Sequence, residues 1–189
     1  MEKAMGKIMT AAAETRAAAG TMTNFRWKIA FLIFLISFVA YMDRVNLSVA
    51  TPVIMQEFGF TKIDMGFIQT CFFASYALMQ VPGGILAEKF GMRKTGALAI
   101  LWWSVFTALT ALAKGKISFA AVRLAFGLGE GPVFPSLGAA TFTWFNKHEK
   151  GKASSSILLG TFFGPVVGPV ATVTLMGLFG WHAVFIIFG

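Results

Sequence analysis

Five blocks of about twenty or more predominantly apolar residues recur along the chain, near 27–50, 64–87, 95–114, 117–142 and 153–178. A sixth opens around Ala183 and is still apolar at "AVFIIFG", where the chain stops. At about 1.5 Å per residue, each complete block covers the roughly 30 Å of bilayer hydrocarbon. Backbone N–H and C=O groups find no partner in lipid, so segments of this kind are helices. The expectation is an all-α membrane protein that stops within its sixth helix.

Composition agrees with that reading. Charged residues make up 13% of the 189, against roughly 25% in a soluble domain. The formal charge of +8 does not gather into one patch for nucleic acid; it falls in short clusters between the apolar blocks. Cys71 is the single cysteine, so no disulfide within the chain is available. Residues 1–26, with "AAAETRAAAG" inside, read as a basic, Ala-rich tail, and 27–189 as the transmembrane bundle. Residues 29–40 resemble the apolar part of a signal peptide. They lead into Tyr41, Asp43 and Arg44, not a small-residue cleavage site, and more spans follow.

Lysine and arginine set the orientation. Eleven of the sixteen lie on one side: Lys3, Lys7, Arg16, Arg26 and Lys28 in the tail, Lys89, Arg93 and Lys94 after the second block, and Lys147, Lys150 and Lys152 after the fourth. Lys62, Lys114 and Lys116 lie opposite. The basic side is the cytoplasmic one, which puts the amino terminus inside and the protein in the plasma (inner) membrane as a multi-pass chain.

Four ionisable residues stand within the blocks: Asp43 and Arg44 in "YMDRVN", then Arg123 and Glu130 in "RLAFGLGEGPVFPS". Each costs on the order of 3 kcal/mol at a span centre unless it is paired or hydrated. Asp43 lies about 24 Å from the cytoplasmic start of its helix and Arg123 about 9 Å from the outer start of its own, so the two levels nearly coincide and a contact between them is geometrically possible. Glu130 follows Arg123 by seven residues on the same face, about 10 Å deeper. Two readings are open. Two acids and two bases could simply join helices, although such pairs gain little once desolvation is counted. Alternatively, an arginine released by a protonated carboxylate binds a substrate carboxylate instead, which couples protons to an anion.

Gly127, Gly129 and Gly131 allow close helix approach, and Pro132 and Pro135 should bend the fourth helix beside Glu130. No Lys-Ser/Thr follows the glycines, which excludes a nucleotide loop. Tyr41 and Tyr76, the only tyrosines, lie inside spans, not in interfacial belts. They could contact a hydroxylated substrate or bond a neighbouring helix. His148 and His182 join no nucleophile or metal constellation, so neither an enzyme, a cofactor nor a metal site is expected.

"GILAEKFGMRK", 84–94, resembles the loop between the second and third helices of the major facilitator superfamily, G-x-L-A-D-R-x-G-R-R/K-R/K. Gly84, Leu86, Ala87, Gly91, Arg93 and Lys94 match, Glu88 and Lys89 are conservative, and Met92 departs. The resemblance implies a conformational role for this loop, with Glu88 meeting a helix end of the other half of a transporter. "YMDRVNLSVA" and "RLAFGLGEGPVFPS" are similar to the anion:cation symporter family, which includes galactonate, glucarate and hexuronate permeases and sialin-type carriers. That resemblance covers about 25–189. It implies substrate contacts from Tyr41, Arg44 and Tyr76 and proton coupling by Asp43, Glu130 and Arg123. "GTFFGPVVGPV", 160–170, resembles a fifth-helix motif of drug/proton antiporters, although Pro169 replaces its last glycine and close helix packing accounts for it as well.

The resulting expectation is the amino-terminal six-helix bundle of a two-bundle transporter, with a carboxy-terminal bundle missing and the chain inactive alone. The parent would be a proton-coupled symporter of an organic anion, such as a hexonate, hexuronate or aldarate, in the lipid bilayer. A drug/proton antiporter and a non-transporting membrane scaffold are the alternatives.

Overall fold

The computed structural model describes residues 25–189, so nearly all of the expected tail lies outside the described residues. Among the described residues six helices follow one another: α1 (Phe25–Phe58), α2 (Lys62–Phe90), α3 (Met92–Thr110), α4 (Lys116–Glu130), α5 (Val133–Trp144) and α6 (Lys150–Phe188). Four helical segments are each long and apolar enough to cross a bilayer: α1, α2, α4 with α5, and α6. Helix α3, 19 residues long, also approaches 30 Å.

Local chemistry places the ends. Gly59 (φ 66°) closes α1, and Thr61 opens α2 with a capping box: its hydroxyl accepts from Asp64 N–H while Asp64 Oδ2 accepts from Thr61 N–H at 3.0 Å. Gly91 (φ 87°) turns α2 into α3 in one residue. The proline-rich stretch breaks one span into α4 and α5, with Pro132 at the junction and Pro135 inside the first turn of α5. Gly180 (φ 80°, ψ 167°) is non-helical within α6 and separates the fifth span from a final segment that starts at Trp181.

Both ends of α1 differ from the sequence reading. Helix α1 runs eight residues past position 50, carrying Pro52 and ending beside Glu57, whose Oε2 accepts from Trp181 Nε1 at 2.6 Å. Arg26, assigned to the tail, lies in the first turn of α1, where Nη2 pairs with Glu149 at 2.9 Å. Both extensions place polar side chains at helix ends, where an apolar-block count does not reach.

The bundle is apolar outside and encloses a set of polar side chains within a mostly apolar core. Leu78, Val81, Leu98, Phe162, Val166 and Val170 are exposed, whereas Asp43, Asn46, Arg123, Glu130 and Thr172 are buried. Such a surface suits lipid as solvent, and backbone proximity supplies the packing that water would otherwise drive. Gly160, Gly164 and Gly168 lay α6 along α1 so closely that a Cβ at Gly164 would stand 2.7 Å from the Phe38 carbonyl and 2.8 Å from Tyr41 Cβ. The "GTFFGPVVGPV" stretch therefore acts as a packing seam. Gly127 meets α2 in the same way, 2.6 Å from the Phe72 carbonyl, and Gly129 meets Trp102 of α3.

Gly164→Leu should lower stability by about 1–3 kcal/mol or more, because the obstructing atoms are backbone and a Cβ, which cannot swing aside. Gly177→Leu, where a Cβ meets nothing within 4 Å, should leave it unchanged. Thermal unfolding of the two variants in one detergent makes the comparison.

Candidate functional site

Successive residues on a helix diverge by about 100°, and this separates Asp43 from Arg44. Arg44 turns toward α2, α4 and α5. Its Nε donates to Glu130 Oε1 at 2.7 Å, joining α1 to the last residue of α4. The guanidinium carbon lies 4.4 Å from the Tyr76 ring centroid, 4.7 Å from Tyr41, 5.5 Å from Phe134 and 5.7 Å from Phe72. These distances are within cation–π range, so the aromatic faces offset part of the lost hydration. The Arg44 side chain is 15% exposed and Glu130 is fully buried. Arg44 is thus the member of the pair that can be reached.

The contact is one-pointed. Arg44 Nη2 and Glu130 Oε2 are both buried without a hydrogen-bond partner. A guanidinium fork can serve a carboxylate with two parallel N–H···O bonds; here one arm is engaged and one is spare. The spare donor suits an incoming anion and the spare oxygen suits a proton.

Asp43 points elsewhere. Its Oδ2 accepts from Trp103 Nε1 of α3 at 2.8 Å and its Oδ1 from Asn46 Nδ2 at 3.4 Å. Asn46 Oδ1 in turn accepts from the Thr172 hydroxyl of α6 at 2.6 Å. The expected Asp43–Arg123 partnership is electrostatic, with no direct ion pair between them among the described residues. Arg123 packs against Phe126 and Phe185, its guanidinium carbon 5.1 Å and 5.6 Å from their rings, and its Nε lacks a hydrogen-bond partner. The indole of Trp103 takes the place on Asp43 that a guanidinium would fill.

The six residues proposed from sequence for substrate and protons thus converge on two neighbouring clusters. One holds Tyr41, Arg44, Tyr76 and Glu130; the other holds Asp43, with Arg123 near it. The loop residues Gly84, Glu88, Lys89, Gly91, Arg93 and Lys94 lie apart, at the α2–α3 junction. Glu88, Lys89, Arg93 and Lys94 are exposed there, and none forms an ion pair among the described residues. Five contributors around Arg44 and Asp43 escaped the sequence reading: Asn46, Trp103, Thr172, Phe72 and Phe134. Asn46 had a signal, lying three residues after Asp43 on one helix face. Trp103 had a weaker one, as a tryptophan deep in a span instead of at an interface.

The sequence model of the Major Facilitator Superfamily matches residues 33–189. The chain belongs to the Major Facilitator Superfamily. Among its relatives, a probable galactarate/D-glucarate transporter of Bacillus subtilis is 34% identical over 181 residues, covering 90% of this chain and 39% of that protein. The D-galactonate transporter of Escherichia coli is 35% identical over 164 residues, covering 87% and 38%. A bacterial homolog of the human lysosomal transporter Spinster, solved in an inward-facing and occupied conformation, superposes with a TM-score of 0.75 at 20% identity, over 88% of this chain and 42% of that one. The superfamily fold is therefore shared, and the chain spans about two-fifths of the length of these relatives.

Breaking the central pair from one side should be worse than removing it. Glu130→Leu leaves Arg44 uncompensated and should lose about 3–5 kcal/mol. The double variant Arg44→Met/Glu130→Leu should recover most of that loss in thermal unfolding of the detergent-solubilised chain.

Proposed function

We propose that the chain is the amino-terminal half of a proton-coupled symporter of an organic anion, with sugar acids as the substrate class. The one-pointed Arg44–Glu130 pair carries the reading, because it leaves one guanidinium arm and one carboxylate oxygen buried and unused. The substrate classes printed for the two relatives, galactarate or D-glucarate and D-galactonate, are carboxylates bearing hydroxyls, which suits Arg44 between two tyrosines.

In this mechanism a carboxylate approaches the reachable face of Arg44 and forms two N–H···O bonds. Glu130, deprived of its cation inside a dry bundle, takes a proton. Two charges enter and neutralise two charges already present, so the loaded site carries no new net charge through the hydrocarbon. Asp43 is the second proton carrier, with Arg123 as its electrostatic partner. Tyr41 and Tyr76 flank the anion. A second bundle would supply the facing half of the site and rock against this one, with Glu88 of the exposed loop meeting it and the amino terminus in the cytoplasm. A drug/proton antiporter is the weaker reading, since the glycine-proline stretch shared with that class is consumed in packing α6 on α1.

Transport assays on the full-length transporter in proteoliposomes test the assignment. Arg44→Lys should weaken anion binding about tenfold or more despite keeping the charge, because the planar fork is lost. Glu130→Gln mimics the protonated state and should retain counterflow while losing pH-driven accumulation. Asp43→Asn should behave likewise. Normal pH-driven accumulation in both neutral variants would overturn the roles given to these acids.

A further inference from the structure

Both oxygens of the Asp43 carboxylate are held by N–H donors, the Trp103 indole and the Asn46 amide. An indole N–H and an amide NH2 accept nothing. A proton bound to Asp43 would therefore find no acceptor in this arrangement, and a buried hydroxyl without one costs about 1–3 kcal/mol. Water offers no remedy, since Asn46 and Thr172 are fully buried and Asp43 is 2% exposed. Nor do the charged groups that face Asp43. Arg123 on α4 has no acceptor atom, and Glu130 on α4 makes no hydrogen bond to Asp43, its Oε1 being held by Arg44 and its Oε2 having no partner. Helix α3 has no ionisable residue between Lys94 and Lys114, and α6 none between Lys152 and His182.

The acceptor closest in the network is on Asn46 itself. Its Oδ1 lies on the same amide that donates to Asp43 and now accepts from Thr172. Half a turn about the terminal torsion exchanges the two ends, and that torsion is broad and roughly two-fold. Thr172 is able to follow. Three other buried threonines, Thr107, Thr110 and Thr141, each donate at 3.0 Å to the carbonyl one turn back in their own helix. Thr172 instead sends its proton across to α1. Returned to the Gly168 carbonyl, its hydroxyl oxygen would be open to the Asn46 NH2.

We propose that Asn46 and Thr172 form a reversible hydrogen-bond relay that reads the protonation state of Asp43 and reports it to α6. With Asp43 ionised, the bonds run from Thr172 to Asn46 to Asp43. When Asp43 takes up one proton, every bond reverses: Asp43 donates to Asn46 Oδ1, Asn46 Nδ2 donates to Thr172 Oγ1, and Thr172 donates to the Gly168 carbonyl. No group is left unpaired in either state. The relay rests on the reading of Asp43 as a proton carrier, and it adds positioning roles for two residues that carry no charge. Its output falls on the carbonyl just before Pro169, within the glycine seam that lays α6 on α1.

Infrared difference spectra of the whole chain in lipid nanodiscs, acid minus neutral, test the relay. A carboxylic acid band that vanishes in Asp43→Asn should appear at the position of a hydrogen-bonded acid. In Asn46→Leu it should move up to the position of a free acid. Should that variant fail to fold, 13C-labelled asparagine in the chain with Asn24→Ser and Asn146→Ser isolates the Asn46 carbonyl, which should shift on acidification. An Asp43 band unmoved by Asn46→Leu, or an Asn46 carbonyl identical at both pH values, overturns the relay while leaving Asp43 a proton carrier. If no band assignable to Asp43 appears at any pH, the proton-carrier reading fails and the relay fails with it.

Discussion

Everything in this bundle is arranged around the expense of holding ions in hydrocarbon. A single charged side chain at mid-span costs a few kcal/mol even after relaxation, and this chain buries Asp43, Arg123 and Glu130 and mostly buries Arg44. The compensation is divided and incomplete. Arg44 receives four aromatic faces and one carboxylate oxygen; Asp43 receives two N–H donors; Arg123 receives two phenylalanine rings and a distant field. A site built only for stability would have closed the Arg44–Glu130 fork and paired Asp43 with Arg123 directly. The open arms suit groups that must exchange partners.

Holding these groups in register requires helices at unusually short range. The glycines of α4 and α6 provide it by removing side chains where backbones meet, so that α1 lies against α6 and α2 against α4. The break at Pro132 then ends α4 at Glu130, placing its carboxylate at a helix terminus beside Arg44. Backbone proximity and the broken span are thus part of the site: the α1–α6 seam brings Thr172 to Asn46, and the break leaves Glu130 at a helix end beside Arg44.

The membrane class and the helical blocks were legible because lipid imposes a length and an apolarity that can be counted. Pro132 and Pro135 were legible as a bend because each removes a backbone donor and crowds the preceding turn. The four buried charges were legible because lipid makes them rare. Their pairing was less so. Rise per residue placed Asp43 and Arg123 at one level, yet said nothing of azimuth, and Trp103 from a third helix took the carboxylate. Neutral partners such as Asn46 and Thr172 carry no comparable penalty and left little trace. The Gly180 turn was legible as the gap between the block that ends at 178 and the one that opens near Ala183.

The central claim is that an anion takes Arg44 from Glu130 as Glu130 takes up a proton. Adding a sugar acid, in weakly buffered solution, to the purified protein whose amino-terminal half this chain is proposed to be tests it without any transport step. If the anion takes Arg44 from Glu130, binding should withdraw on the order of one proton per site from the medium, because Glu130 loses its cation in a dry environment. The Glu130→Gln protein should bind the same anion with no such uptake. Anion binding with no change in medium pH, or with equal proton uptake in Glu130→Gln, would contradict the account.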